Sequence, residues 1–310
     1  DGHQGAICCS PGCLPDKLRH GKSAGLSYIY PEAKGEFRMI KYLTVAALML
    51  VPTSAWTQEP VQLIDTHIHY SHDAWDMLPP VEAIKILRKA GLRQAFVSSS
   101  SDDGTQMLYK QAPDLIVPVL RPYRKRGELS TWFKDPTVVD MIADRLAKNT
   151  YAGIGEFHIF GTDANRPVMK SVIQLAKKHG VFLHAHSDAA AIMNIFKQDP
   201  DARVLWAHSG FDEPREIDEM LTRYPNLRAD LAFRNEHATA DSVDPDWRKL
   251  FEAHPDRIMV GTDTFAPERW YYVVEHANWT RTWLKDLPKE LAEKIAWKNA
   301  RALADWALKK

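Results

Sequence analysis

Leu63-Ile64-Asp65-Thr66-His67-Ile68-His69-Tyr70 is an apolar run that ends in two histidines separated by one residue. On an extended strand, residues i and i+2 share a face, so both imidazoles converge on one point while Ile68 turns away. That geometry suits a metal ion. A lone His-x-His is a modest signal, but four later strand ends each offer another residue of ligand chemistry.

Outward from this stretch, short apolar runs alternate with amphipathic ones. After the strand at 63–70, strands are expected at 94–99, 115–120, 152–157, 181–186, 203–208, 227–233 and 257–262. Helical spacing is expected at 81–89, 138–148, 168–179, 189–197, 214–223 and 247–253. Pro118 removes a ladder bond from the third strand. Gly91 and Gly180 stand where helix ends favour a left-handed residue. Eight strand and helix units predict an α/β fold, a closed (β/α)8 TIM barrel. No dinucleotide glycine fingerprint follows the first strand, which disfavours an open doubly wound sheet.

The N-terminal 55 residues are different. Met39-Ile40-Lys41, the apolar residues 42–51 and Pro52-Thr53-Ser54-Ala55 read as a signal peptide over 39–55, with a cut near Ala55. An exported protein, periplasmic or secreted, is expected. The apolar segment is about half the roughly twenty residues of a spanning helix, so no stable membrane anchor is expected. Residues 1–38 show no sustained period and are expected to be a non-native or disordered leader, with translation starting at Met39. Residues 56–310 would then be the barrel domain. Cys8, Cys9 and Cys13 all lie in the leader, so a metal in the domain must be held by histidine and carboxylate. With 40 Lys and Arg against 40 Asp and Glu and no basic stripe, nucleic acid is excluded as the expected partner. A small-molecule substrate is expected, and a homo-oligomer stays open.

In a barrel of this kind, function sits at the C-terminal ends of the strands. The first strand ends in His67 and His69, and the fourth in Glu156 and His158. The fifth ends in His184 and His186, the sixth in His208, and the eighth in Asp263. Singly, each has an ordinary structural explanation: a strand-end histidine is more often a hydrogen-bonded structural residue, and an Asp after Gly-Thr caps a helix. Five corresponding positions share a simpler cause, one metal centre.

These residues resemble the metal motifs of the amidohydrolase superfamily, and the resemblance covers nearly all of residues 56–310. Ile64-Asp65-Thr66-His67-Ile68-His69 is similar to its opening motif. Gly153-Ile154-Gly155-Glu156 resembles the fourth strand of the TatD-like branch, and Gly261-Thr262-Asp263 also fits. The segment 293–303 is similar to the terminal helix of the amidohydrolase 2 branch. The resemblance implies that His67, His69 and Asp263 bind one metal. Glu156 would bridge to a second, held by His208 and a fifth-strand histidine. His184 is favoured there, with His186 as second ligand or substrate contact. Many relatives carry a carbamylated lysine where this chain has Glu156, which leaves one or two ions open. Zinc is the default for such ligands, and manganese or iron fits the same set.

The activity expected from this set is hydrolysis of a small ester, lactone, amide or phosphoester by metal-activated water. Asp263 would be general base, then general acid. His208, if not a ligand, would stabilise developing negative charge. Arg121 and Arg234 are candidates to hold a carboxylate or phosphate, or to form rim salt bridges. Trp270, with Tyr271 and Tyr272, would wall a substrate pocket or pack the last helix. Asp230, beside Arg228, reads as polar packing within a strand. The alternatives are a one-metal non-oxidative decarboxylase of the amidohydrolase 2 type and a barrel that binds without turnover.

Overall fold

The computed structural model describes residues 61–125 and 127–308. The expected leader, the signal segment and all three cysteines lie outside the described residues. Among the described residues, eight strands form one sheet: β1 Leu63–Ile68, β2 Leu92–Val97, β3 Ile116–Leu120, β4 Gly153–His158, β5 Phe182–His186, β6 Val204–Trp206, β7 Leu227–Asp230 and β8 Ile258–Met259. Every neighbouring pair is parallel and the order is that of the sequence. Thr66 N donates to Val260 O at 3.1 Å and His69 N to Thr264 O at 3.2 Å, which joins the first strand to the exit of the last. The expected α/β barrel is the fold observed.

Helices follow each strand: α1 Pro80–Lys89, α2 Asp102–Gln111, α3 Thr137–Lys148, α4 Pro167–His179, α5 Ala189–Gln198, α6 Pro214–Arg223, α7 Pro245–Ala253 and α8 Val273–Leu284. Their apolar stripes, such as Leu87, Ile142 and Ile173, bury against outward strand residues such as Leu63, Ile68 and Leu183. The barrel interior is a separate core of Ile64, Phe96, Val117, Val119, Phe182, Leu205 and Met259. A last helix, α9 Asn299–Leu308, adds Ala300, Leu303, Ala304 and Ala307 to that core. Each fully buried Leu or Ile contributes roughly 1.5–3 kcal/mol. Because α9 packs into the interior, the strands' C-terminal exits are the face left for a site. None of the described helices is long and apolar enough to cross a membrane.

The structure departs from the sequence pattern in three places. Helices α2 and α8 were not expected, and in α2 Gly104 and Thr105 are weak helix formers. Gly104 is there for contact: a Cβ would lie 2.0 Å from Tyr70 O. Strands β6, β7 and β8 are shorter than their apolar runs, since the chain turns out of each ladder early. Finally, the pairing register shifts between Asp65 and Ile68 in β1 and between Gly155 and Phe157 in β4. Such a bulge re-aims side chains, and in β4 the extra residue is Glu156.

Candidate metal centre

Three histidines share one arrangement. His69 Nδ1 donates to Ser98 O at 2.6 Å, and His208 Nδ1 to Ala232 O at 2.8 Å. His67 Nδ1 lies 3.2 Å from Asp230 Oδ2. A carbonyl or carboxylate oxygen can only accept, so the proton of each neutral ring sits on Nδ1 and the Nε2 lone pair points inward. Nε2 of His67 and of His69 is buried without a hydrogen-bond partner.

The carboxylates Glu156 and Asp263 face those lone pairs. Glu156 oxygens lie 3.3 Å from His69 Nε2 and 3.5 Å from both His67 Nε2 and His208 Nε2. Asp263 Oδ1 lies 3.3 Å from His69 Nε2 and 3.6 Å from His67 Nε2. Asp263 is itself held in the left-handed region at φ 49°. Arg269 clamps the turn there, donating from Nε to Asp263 O and from Nη2 to Thr262 O, both at 2.7 Å.

A lone pair set against a carboxylate oxygen is repulsive unless a metal ion, or a proton taken up by the ring, lies between them. Tetrahedral ligands about 2.1 Å from one ion would be about 3.4 Å apart. The observed separations of 3.3–3.6 Å therefore fit a divalent ion held by nitrogen and oxygen. Charge points the same way: among the described residues, Arg121 is the one Lys or Arg side chain bonded to any of the carboxylates of Glu156, Asp230 and Asp263. Burial opposes a charge on His67, yet Asp230, Glu156 and Asp263 outweigh it and hold that imidazole well above the ordinary range. Burial likewise opposes ionisation of Glu156 and Asp263, but His67 overrides it at both. Arg121 assists at Glu156, and His69 at Asp263, which is brought down to about 2. The centre holds excess negative charge that a metal would neutralise.

The two fifth-strand histidines separate. Register pairs Gly155 with His184 and His158 with His186. His184 thus sits one layer deeper, with Nε2 3.1 Å from Asp230 Oδ2. His186 reaches the cluster, with Nδ1 2.8 Å from Glu156 Oε1 and 3.1 Å from His208 Nε2. His184, the fifth-strand ligand favoured from sequence, stands with His67 and Asp230 in one group of ligand chemistry, while His186, nearer the mouth, stands with Glu156 and His158 in another.

Other expectations shift too. Asp230 is not incidental packing: fully buried at the end of β7, it serves His67 and His184 with Oδ2 and accepts from His208 N and Ala232 N with Oδ1. Arg121 is bonded to Glu156, with Nη2 2.7 Å from Oε2, so its fork is already engaged. Arg234 donates to His208 O and Asp212 O, both at 2.9 Å, and braces a turn rather than facing the centre. Trp270 does not wall the pocket. It is buried, stacks edge-on against Tyr70 and donates from Nε1 to His69 O at 3.2 Å. Tyr271 and Tyr272 are exposed and lie outside the cavity.

A cavity of about 330 Å³ opens above the centre, lined by His69, Arg121, Glu156, His186 and Asp263 together with His72, Tyr123, Lys125, His158 and Phe265. Burial pushes His158 down to about 3. Its Nδ1 lies 2.9 Å from the Tyr123 hydroxyl, which itself accepts from His158 N at 2.7 Å. Sequence reasoning gave no role to Ser98, Tyr123 or Arg269 and read Asp230 as packing alone.

Comparison with known proteins agrees with this architecture. A family model described as amidohydrolase matches residues 130–305, more than half the chain, and spans Glu156, His186, His208 and Asp263. No curated protein matches. Among solved structures, an uncharacterised TIM-barrel protein from Bordetella bronchiseptica is similar at TM-score 0.53 and 17% identity, covering 79% of this chain and 99% of that one. A putative 2-pyrone-4,6-dicarboxylic acid hydrolase from Pseudomonas putida gives 0.53 at 12% identity, covering 81% and 100%. An amidohydrolase from Pseudomonas aeruginosa gives 0.52 at 13%, covering 81% and 97%. At these identities the likeness is one of fold.

Proposed function

The chain belongs to the amidohydrolase family, and from that premise we propose that it is a metal-dependent hydrolase of a small ester, lactone, amide or phosphoester. One observation carries this reading: His67, His69 and His208 each tie Nδ1 outward and turn Nε2 toward Glu156 and Asp263. His67, His69, His186, His208, Glu156 and Asp263 would hold one or two divalent ions, zinc by default and manganese or iron on the same ligands. A cation there supplies Lewis acidity and brings the pKa of water from about 15.7 toward 7.

The chain's own groups do the rest. Asp263 is ionised at neutral pH, so it enters as a proton acceptor and passes the proton on to the leaving group. Arg121 holds Glu156 in place through a buried, charge-assisted hydrogen bond. His158 and Tyr123 line the cavity as uncharged polar groups at neutral pH. The substrate is a small molecule of a size to enter about 330 Å³.

Elemental analysis of the purified protein, combined with a screen of esters, lactones, amides and phosphoesters, tests the reading. Bound metal at one or two equivalents and turnover abolished by a chelator are expected. Asp263→Asn should lower kcat by about 10²–10⁴, far more than it lowers metal content. Turnover indifferent to chelation would overturn the proposal, and release of carbon dioxide would assign the chain to the decarboxylases instead. Export, proposed from residues 39–55, is checked by N-terminal sequencing of the secreted or periplasmic product.

A further inference from the structure

Four phenylalanines stand at the barrel mouth, each about half exposed: Phe160 at 51%, Phe211 at 50%, Phe233 at 48% and Phe265 at 50%. They follow β4, β6, β7 and β8. Their rings are not scattered. Phe211 stacks on His208 at 4.6 Å and 17°, and lies 5.9 Å from His186. Phe160 also approaches His186, edge-on at 6.1 Å. Phe265 lines the cavity beside Asp263 and meets Phe233 at 5.9 Å.

The backbone under two of these rings is unusual. Among the described residues, the non-glycine residues at positive φ are His208, Ser209, Phe211, Phe233 and Asp263. All five lie at the exits of β6, β7 and β8. Phe211 and Phe233 each sit at φ 58°. A bulky aromatic residue is a genuine outlier there, whereas Asn or Gly enters the region readily. The rings gain only partial burial and one guanidinium contact each, Arg234 5.9 Å from Phe211 and Arg269 4.8 Å from Phe233, whereas a small polar residue would carry the same φ with less strain. Strain of this sort is held where function needs it.

Resting on the hydrolase reading, we propose that Phe160, Phe211, Phe233 and Phe265 form an aromatic collar that receives a flat apolar group of the substrate while its hydrolysable group lies at the His67–Glu156–Asp263 centre. Continuity argues for a substrate as occupant: Phe211 touches a histidine of the centre and Phe265 shares the cavity with Asp263. Besides Phe265, the cavity lining is largely polar, with His72, Ser100 and Lys125 from the exits of β1 to β3. The cavity therefore selects a substrate with one apolar side and one polar side, such as an aryl or arylalkyl ester, lactone or phosphoester. Rings also stack favourably edge-to-face and offset, which suits a planar group more than a branched one.

The test uses the full metal-loaded protein and two inert probes, methylphosphonate and benzylphosphonate, with binding followed by calorimetry. Benzylphosphonate is expected to bind at least about tenfold more tightly, since an added aromatic side chain's worth of apolar surface leaves water. In Phe211→Asn and Phe233→Asn the benzyl-over-methyl ratio should collapse toward one while thermal stability holds or rises, because Asn suits a φ of 58°. A merely structural role for the rings would instead lower stability and leave the ratio alone. Equal affinity of the two probes in the wild-type protein overturns the proposal without any variant. So does sedimentation as a dimer that these substitutions dissociate, which would make the collar a subunit contact. Failure of the hydrolase reading is visible separately, as absent metal or absent turnover.

Discussion

Asp230 shows how much one carboxylate can organise. Its Oδ2 lies within 3.2 Å of His67 Nδ1 and His184 Nε2, and its Oδ1 accepts from His208 N at 2.8 Å. Burial opposes its ionisation, but His67 and His184 prevail and its pKa falls well below the carboxylate range. An ionised partner behind His67 fixes the tautomer and makes Nε2 a better donor of electrons to a metal. Asp230→Asn should therefore weaken metal affinity about 10–100-fold in chelator competition, more than it alters the fold read by circular dichroism. Asp65 behaves in the opposite sense. Burial pushes it up from 3.8 to about 6 despite hydrogen bonds from His67 N and Thr262. A carboxyl raised on folding favours its protonated form, so its contribution is complete below pH 4 and is lost as pH climbs through about 6. At 1.36 kcal/mol per pKa unit, the loss is at most about 3 kcal/mol. Denaturant titration of metal-free protein should show Asp65→Asn gaining on wild type between pH 4 and pH 7. A parallel pH dependence in the two would rule this out. In sequence neither residue could be read this way: Asp230 shares its strand with Arg228, and nothing local reveals that His67 and His184 approach it from across the barrel.

Elements place these groups by small irregularities rather than by regular strands. The bulge in β4 makes Glu156 an extra residue, turned to the centre between Gly155 and Phe157. Gly155 has φ 136°, and a Cβ there would lie 2.1 Å from His184 O and 2.8 Å from His184 Cβ. Gly155→Ala should cost roughly 3 kcal/mol or more through strain and overpacking, seen as a lowered denaturation midpoint. It should also displace Glu156 and lower metal content. Period and strand-end chemistry sufficed for the barrel and for gathering His67, His69, Glu156, His186, His208 and Asp263, because a parallel barrel sends every strand exit to one face. They did not resolve His186 from His184, since two residues apart on one strand face the same way and only the β4–β5 register sets their depth. They also missed α8, and α2, where Gly104 breaks the helical composition to meet Tyr70 O. Of the two readings left open for Trp270, packing is the one the structure shows, with Phe265 of the same β8 exit lining the cavity instead.

At the scale of the whole barrel, the centre is a point where β1, β4, β5, β6 and the β8 exit are all tied together. In the unfolded chain those ligands are up to 196 residues apart, as His67 and Asp263 are, so only the native state offers the assembled site. Without an ion, Glu156, Asp230 and Asp263 are held close with Arg121 and a charged His67 to offset them. A metal relieves that repulsion and binds the folded state preferentially, which links occupancy to stability. With free metal at 100 times Kd, the gain is about 2.7 kcal/mol. For a domain of this size each kcal/mol moves Tm by roughly 2–4 °C, so a chelator should lower Tm by about 5–10 °C. Restoring the ion should restore the melting point. In Asp230→Asn the same chelator should shift Tm by less at equal metal concentration, because a weaker site is less saturated. A melting curve that ignores both chelator and added metal would separate the folding of this barrel from its centre, and with it the claim that the cluster is built for a cation.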